Sequence, residues 1–267
     1  MLITLRIYFH NPTACLPLTP PPPAPRSRIR LKVDPAYPRS PQSTDYTRSG
    51  FDRGHQRPAE DSSDQTAMVE SFLMTNIAPQ QPKLNQLAWR LLEQGVNELV
   101  RATGGSATVV TGGLFLGADG KPLPPERVEW IGKGGTKAVA VPTHYFKVVL
   151  LTTAEGTTIP LAYVVPNQQD LPMKNPAMAA LLRSCRTSID QVEALSGLAL
   201  YPALGETGDQ GALEATSAAA VRVPHPELYK TAALLWPQVQ QTRGVTSAAA
   251  RDRRFPAFIP SLWDRAR

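Results

Sequence analysis

Residues 84–100 read LNQLAWRLLEQGVNELV, and this stretch decides the fold. Apolar side chains stand at Leu84, Leu87, Ala88, Leu91, Leu92, Val96, Leu99 and Val100. That is the 3.6-residue period of a helix with one buried face. Pro82 suits the start of such a helix, where the first turn needs no N–H partner. Gly95 weakens it by about 1 kcal/mol relative to Ala, and Gly104-Gly105 stop it. Downstream the pattern changes. The runs ATVVTGGLFLG (107–117), RVEWIG (127–132), KAVAVP (137–142), HYFKVVLLTT (144–153) and TIPLAYVVP (158–166) are rich in Val, Thr and aromatic residues and punctuated by Gly and Pro. A helix beside several strands predicts an α+β fold: a mostly antiparallel sheet with flanking helices. A second, short helix is expected over 188–199, with Ser188 as N-cap, Gln191 completing a capping box and Gly197 as stop.

Upstream, DYTRSGFDRGH (45–55) reads as a turn leading into a short strand. FLMTNIA (72–78) reads as the next strand, ended by Pro79. The first 41 residues hold ten prolines, including Pro20 to Pro23. Proline fixes φ and lacks the N–H, so this stretch is expected to be extended or disordered rather than packed, and poorly ordered over 1–27. The opening MLITLRIYF alternates like a strand; read as a secretion signal it is a poor one, because Arg6 interrupts it. The expected organisation is a Pro-rich segment over 1–27, a domain over 28–202, and an Ala-, Pro- and Arg-rich C-terminal extension over 203–267 with a helical pattern at 227–241.

The chain of 267 residues carries 28 Lys plus Arg against 22 Asp plus Glu, a net charge of +6. All of this excess lies in residues 1–57, with nine basic and three acidic side chains. A basic block on a neutral body suggests a polyanionic partner. Cys15 and Cys185 are too few for a disulfide scaffold or a four-Cys zinc site. No apolar run approaches the ~18 residues of a membrane-spanning helix.

Of four histidines, His10 and His225 stand in proline-flanked segments, and His144 enters an apolar strand as a structural residue. His55 differs: Asp52-Arg53-Gly54 places an imidazole at a strand end beside two charges. On the helix, Asn85 and Glu93 are eight residues apart, about two turns along the axis and roughly 80° around, so both can face one cleft. No G-x-S-x-G elbow, phosphate loop ending in G-K-[ST], or H-E-x-x-H is present. GKGGT (132–136) fits a hairpin loop better than a nucleotide fingerprint.

Three runs occur in order: Asp52-Arg53-Gly54-His55, then Thr75-Asn76-Ile77-Ala78-Pro79-Gln80, then Asn85-Gln86-x-Ala88-Trp89-x-x-x-Glu93. Together they resemble the DNA/RNA non-specific endonuclease family. Asp45-Tyr46, Val110-Thr111-Gly112, the run Val141 to Lys147, Tyr163 to Asn167 and Ile189 to Leu198 extend the likeness over about residues 28–200. The resemblance implies a ββα-metal (His-Me) finger within the α+β fold, and Mg²⁺-dependent hydrolysis of DNA and RNA leaving 5′-phosphates, with Mn²⁺ able to substitute. It implies His55 as general base, its second ring nitrogen held by a main-chain carbonyl near Asn76. It implies Asn85 as the one direct protein ligand of the ion and Glu93 as holder of a metal-bound water. Arg53 and one upstream arginine (Arg28, Arg30 or Arg39) would pair with phosphates. Implied partners are DNA and RNA, a second copy in a homodimer, and an inhibitor protein. The N-terminus leaves the compartment undecided, with a secreted or periplasmic location favoured over a cytoplasmic or organellar one. Three departures stand out. Asn97 occupies a position that is usually basic, Gly113 one that is usually proline, and the proline-rich stretch replaces the usual first core strand. A degenerate member that binds nucleic acid without cutting it is the alternative.

Overall fold

The structure is a computed structural model, and it describes residues 8–9, 30–62, 65–200 and 230–236. Nine strands are present among these residues: β1 (Tyr8–Phe9), β2 (Asp52–His55), β3 (Ile77–Gln80), β4 (Ser106–Leu114), β5 (Trp130–Ile131), β6 (Val139–Ala140), β7 (His144–Thr152), β8 (Thr158–Pro166) and β9 (Arg186–Thr187). The helices are α1 (Gln65–Ser71), α2, α3 (Asn175–Ser184), α4 (Ile189–Ser196) and α5 (Thr231–Leu235). α2 begins as a π-helical stretch over Leu84–Trp89 and continues as an α-helix over Arg90–Thr103.

The central sheet runs β1-β4-β7-β8-β9, every neighbouring pair antiparallel. β7 and β8 are almost continuously apolar because both faces are covered. Tyr145, Val149, Leu151, Leu161, Tyr163 and Val165 pack under α2, α3 and α5. On the other face Val110, Phe146, Val148, Ala162 and Val164 meet Ile189 and Val192 of α4. The two-residue periodicity of the strands thus separates two cores, one per face.

β2 and β3 form a separate antiparallel ribbon, with Asp52 opposite Gln80 and His55 opposite Ile77. A third core (Tyr46, Met74, Ile77, Ile131, Val139 and Val141) joins the ribbon to the β5–β6 hairpin. Three hydrogen bonds fix β3. The Tyr46 hydroxyl donates to the Ile77 carbonyl (3.2 Å), and Pro79 accepts from the Tyr145 hydroxyl (2.7 Å) and the Asn167 amide (3.1 Å).

The α+β reading and its antiparallel sheet hold. Gly104 ends α2 at φ 62°, and Ser188 caps α4 by accepting the Gln191 N–H at 3.0 Å. GKGGT is the loop between β5 and β6. One strand is displaced from its expected place. Residues 74–76 form a tight 3-10 turn, and β3 continues through Pro79 instead of ending before it. A two-stranded ribbon has only edge strands, where a missing N–H costs little. α1 and α3 were not anticipated. Tyr8–Phe9 of the opening strand pairs with Val109 and Thr108 at the sheet edge, while the proline run lies outside the described residues. Of the helical pattern at 227–241 the described residues are 230–236; they form α5, which packs into the main core, and the remainder lies outside the described residues.

Candidate active site

The ribbon places Asp52 against the start of α2. One oxygen of Asp52 (Oδ2) accepts hydrogen bonds from Asn85 Nδ2 at 2.9 Å and Gln86 Nε2 at 2.8 Å. A carboxylate only accepts, so it fixes which end of the Asn85 carboxamide faces it and leaves Oδ1 on the other side. Both amides lie in the π-helical turns of α2. Widened turns of this kind recur at functional sites.

His55 stands three residues beyond Asp52, about 10 Å along the strand. Its ring packs edge-on against Phe72, with centroids 5.2 Å apart. Nε2 is buried without a hydrogen-bond partner, and burial pushes the imidazole pKa below its usual 6.5. The ring is therefore neutral at neutral pH, with an acceptor nitrogen available. No hydrogen bond from the ring to a carbonyl near Asn76 is formed among the described residues; the Asn76 carbonyl itself accepts the Gln56 N–H at 2.9 Å.

Asn76 is fully buried. Its Oδ1 accepts the Arg57 N–H at 3.0 Å, and its Nδ2 donates to the carbonyls of Arg57 (3.0 Å) and Ser71 (2.8 Å). It clamps the backbone just after His55 and so positions rather than touches. Arg53 donates from Nε and Nη2 to the Ser43 carbonyl at 3.2 and 2.7 Å and lies over the Tyr46 ring. Arg30 and Arg39 are exposed on the 30–40 segment, and Arg28 lies outside the described residues.

Glu93 meets a partner that sequence reasoning quoted but did not interpret. Lys147 Nζ lies 3.8 Å from Glu93 Oε1, 3.1 Å from Thr111 Oγ1 and 4.8 Å from the Trp89 ring centre. Burial pushes the Glu93 carboxyl up and the Lys147 ammonium down, and each opposes the other's shift. Asp61 closes the network. Its Oδ1 accepts Asn97 Nδ2 at 2.8 Å, and burial raises its carboxyl too. Asn97 therefore fills the usually basic position with a neutral donor. Asp52, Asp61 and Lys147 are the site-building residues that the sequence left unassigned. Asp52 had a signal, since it opens the DRGH run. Asp61 had none.

Two further buried titratable groups are His144 and Cys185. His144 is 9% exposed, with Nδ1 3.0 Å from Thr143 Oγ1, and burial lowers its pKa to about 4. Burial raises the Cys185 thiol to about 12, which leaves it inert.

The donor set can be tested against a divalent ion. Among the described residues no three His, Cys, Asp or Glu side chains gather to hold a metal. What is present is one oriented carboxamide oxygen, together with a buried His55 Nε2 that lacks a hydrogen-bond partner. One neutral oxygen ligand suits a hard ion that retains most of its hydration, as Mg²⁺ does. It does not suit a soft or thiolate-bound metal.

Known proteins resemble this chain in sequence and fold. The DNA/RNA non-specific endonuclease model matches residues 22–205. Mitochondrial endonuclease G of Bos taurus is 40% identical over 181 residues, covering 66% of this chain and 56% of that protein. A nuclease of Syncephalastrum racemosum is 37% identical over 166 residues, covering 60% and 50%. The chain spans about half the length of the curated relatives it matches. The crystal structure of the EndoG/EndoGI complex superposes with a TM-score of 0.60 at 29% identity, covering 74% of this chain and 78% of that one. The endonuclease G proteins of cattle and human, human EXOG and nuclease 1 of Schizosaccharomyces pombe are all named mitochondrial. These relatives overturn the secreted or periplasmic expectation and point to an organelle. An apolar start interrupted by Arg6 is no guide to compartment. With residues 22–205 matched by its model, the chain belongs to the DNA/RNA non-specific endonuclease family.

Proposed function

We propose that this chain is an endonuclease that hydrolyses phosphodiester bonds of DNA and RNA, uses Mg²⁺ and leaves 5′-phosphates. The observation that carries the reading is the short β2 strand. At one end Asp52 fixes the Asn85 carboxamide. At the other stands His55, neutral and with an unpartnered nitrogen.

His55 takes a proton from the attacking water, a task suited to an imidazole whose neutral form persists below pH 6.5. The water oxygen bonds to phosphorus as the bond to O3′ breaks, so the phosphate stays on the 5′ side and a 3′-hydroxyl leaves. Asn85 would hold the ion through Oδ1, and Glu93 would orient one of its waters. When bound, the ion supplies charge stabilisation at the phosphate and the leaving oxygen. Mn²⁺ also prefers oxygen ligands and would substitute. Arg53, with Nε and Nη2 turned to Ser43, offers Nη1 to a phosphate, and Arg30 or Arg39 would extend the contact. Contacts to phosphate and ion do not read base edges, so cleavage tolerates sequence.

A homodimer and an inhibitor protein complete the proposed partners; the solved relative is an EndoG/EndoGI complex. The second reading, a binding-only member, rests on Asn97 in the usually basic position. Incubating purified protein with supercoiled plasmid and with RNA, in Mg²⁺ and in EDTA, separates the two. Cleavage abolished by EDTA supports the enzyme; salt-sensitive binding without cleavage supports the alternative.

A further inference from the structure

We infer that the C-terminal segment around α5 is a tethered clamp on α2 that fixes the helix carrying Asn85 and Glu93. The segment lies beyond residue 205, where the family match ends, yet it is built into the main core. Ala232 and Trp236 are fully buried and Leu235 is 2% exposed. Residues 201–229, outside the described residues, join it to the domain.

The contacts are specific. Leu235 fills a notch that exists because residue 95 is glycine: a Cβ there would lie 2.4 Å from Leu235 Cδ1 and 3.3 Å from Trp236 Cζ3. This accounts for a glycine in mid-helix that propensity alone disfavours. Three residues on, Glu98 Oε2 accepts the N–H of Thr231 and, at 2.9 Å, that of Ala232, capping α5. Arg183 of α3 donates to the Leu234 carbonyl, and Trp236 meets the Tyr163 ring edge-on at 6.4 Å. The segment thereby ties α2 to α3 and β8.

The geometry of α2 transmits this to the site. At about 100° per residue, Gly95 lies roughly 200° around the axis from Glu93. The same turn thus faces the site on one side and the clamp on the other. The π-helical turns bearing Asn85 form the N-terminal end of the helix. Leu91, Leu92 and Val96 beyond them share a core with Leu235 and Trp236. Seating of the segment holds that half of the helix, and through it the placement of both polar side chains. The effect on cleavage rests on the nuclease reading above; the effect on the motion of α2 does not.

Amide hydrogen exchange and steady-state cleavage on the full-length chain test this. Leu235→Asp empties the notch, and Glu98→Ala removes the cap without touching the core, which keeps the test open if the first variant does not fold. In both, exchange across residues 84–93 is expected to rise about tenfold while β7 and β8 stay protected. Turnover falls about tenfold with KM within about twofold of wild type, and Leu235→Met restores both. Unchanged exchange at 84–93, or an equal rise in β7 and β8, overturns the clamp. Wild-type protein that cleaves nothing defeats the nuclease reading instead, and exchange still decides the clamp.

Discussion

Lys147 Nζ stands 3.8 Å from Glu93 Oε1, and both belong to the layer between the central sheet and α2. The lysine is 2% exposed and has Thr111 as its hydrogen-bond partner. Its charge holds down the pKa of a carboxyl that burial pushes up. Lys147→Met removes that charge at nearly constant volume. The Glu93 pKa then rises further, so its carboxylate appears only at higher pH. Turnover at pH 7 is expected to fall about tenfold, with the acid limb of the pH–rate profile moved upward. Thermal stability is expected to fall as well, because removing one partner leaves the buried Glu93 carboxyl without its compensating charge. The upward-moved acid limb, which a loss of stability alone would not produce, is the signature to look for.

Asp52 makes a separate prediction. Its carboxylate accepts from both Asn85 and Gln86, and so dictates which way the Asn85 amide points. Asp52→Asn offers a donor as well as an acceptor, and the Asn85 amide loses its fixed sense. The Mg²⁺ concentration for half-maximal cleavage is expected to rise about 10- to 100-fold, with nucleic-acid affinity in EDTA unchanged. A metal titration of both proteins measures it. An unshifted midpoint would remove Asp52 from the site.

Stability against pH gives a third. The His144 pKa is about 4 in the fold, against 6.5 for an ordinary imidazole. Between these values the unfolded chain binds more protons than the folded one, so stability is lost as pH falls from 6.5 towards 4. The loss is on the order of 3 kcal/mol, and His55, shifted the same way, adds to it. Glu93 and Asp61, whose pKa values are raised, act with the opposite sign. They cancel when His144→Gln is compared with wild type. Denaturant melts at pH 7 and pH 4.5 are expected to show a smaller acid loss in the variant.

Much of this architecture was written locally. α2 was legible because its apolar residues repeat at helical spacing and Gly104 supplies the left-handed stop. β7 and β8 were legible as continuous β-branched and aromatic runs. β3 was misplaced because Pro79 is a strand breaker only where its N–H is needed, and an isolated ribbon does not need it. His55, Asn85 and Glu93 were singled out through the resemblance of three ordered runs to the family, since an Asn and a Glu on the polar side of a helix are by themselves an ordinary wet surface. The Lys147 and Asp61 contacts were not, because they join residues 54 and 36 positions apart that only the folded sheet and helix bring together. α5 was underestimated for the same reason: its core partners lie on α2, α3 and β8.

The central claim is that His55 is the base of a metal-assisted phosphodiester hydrolysis. The most direct measurement is the nicking rate of supercoiled plasmid in Mg²⁺ by wild type and His55→Ala, alongside plasmid binding in EDTA. The variant is expected to cut at least ~100-fold more slowly while binding as wild type does. A variant that cuts at the wild-type rate would contradict the account.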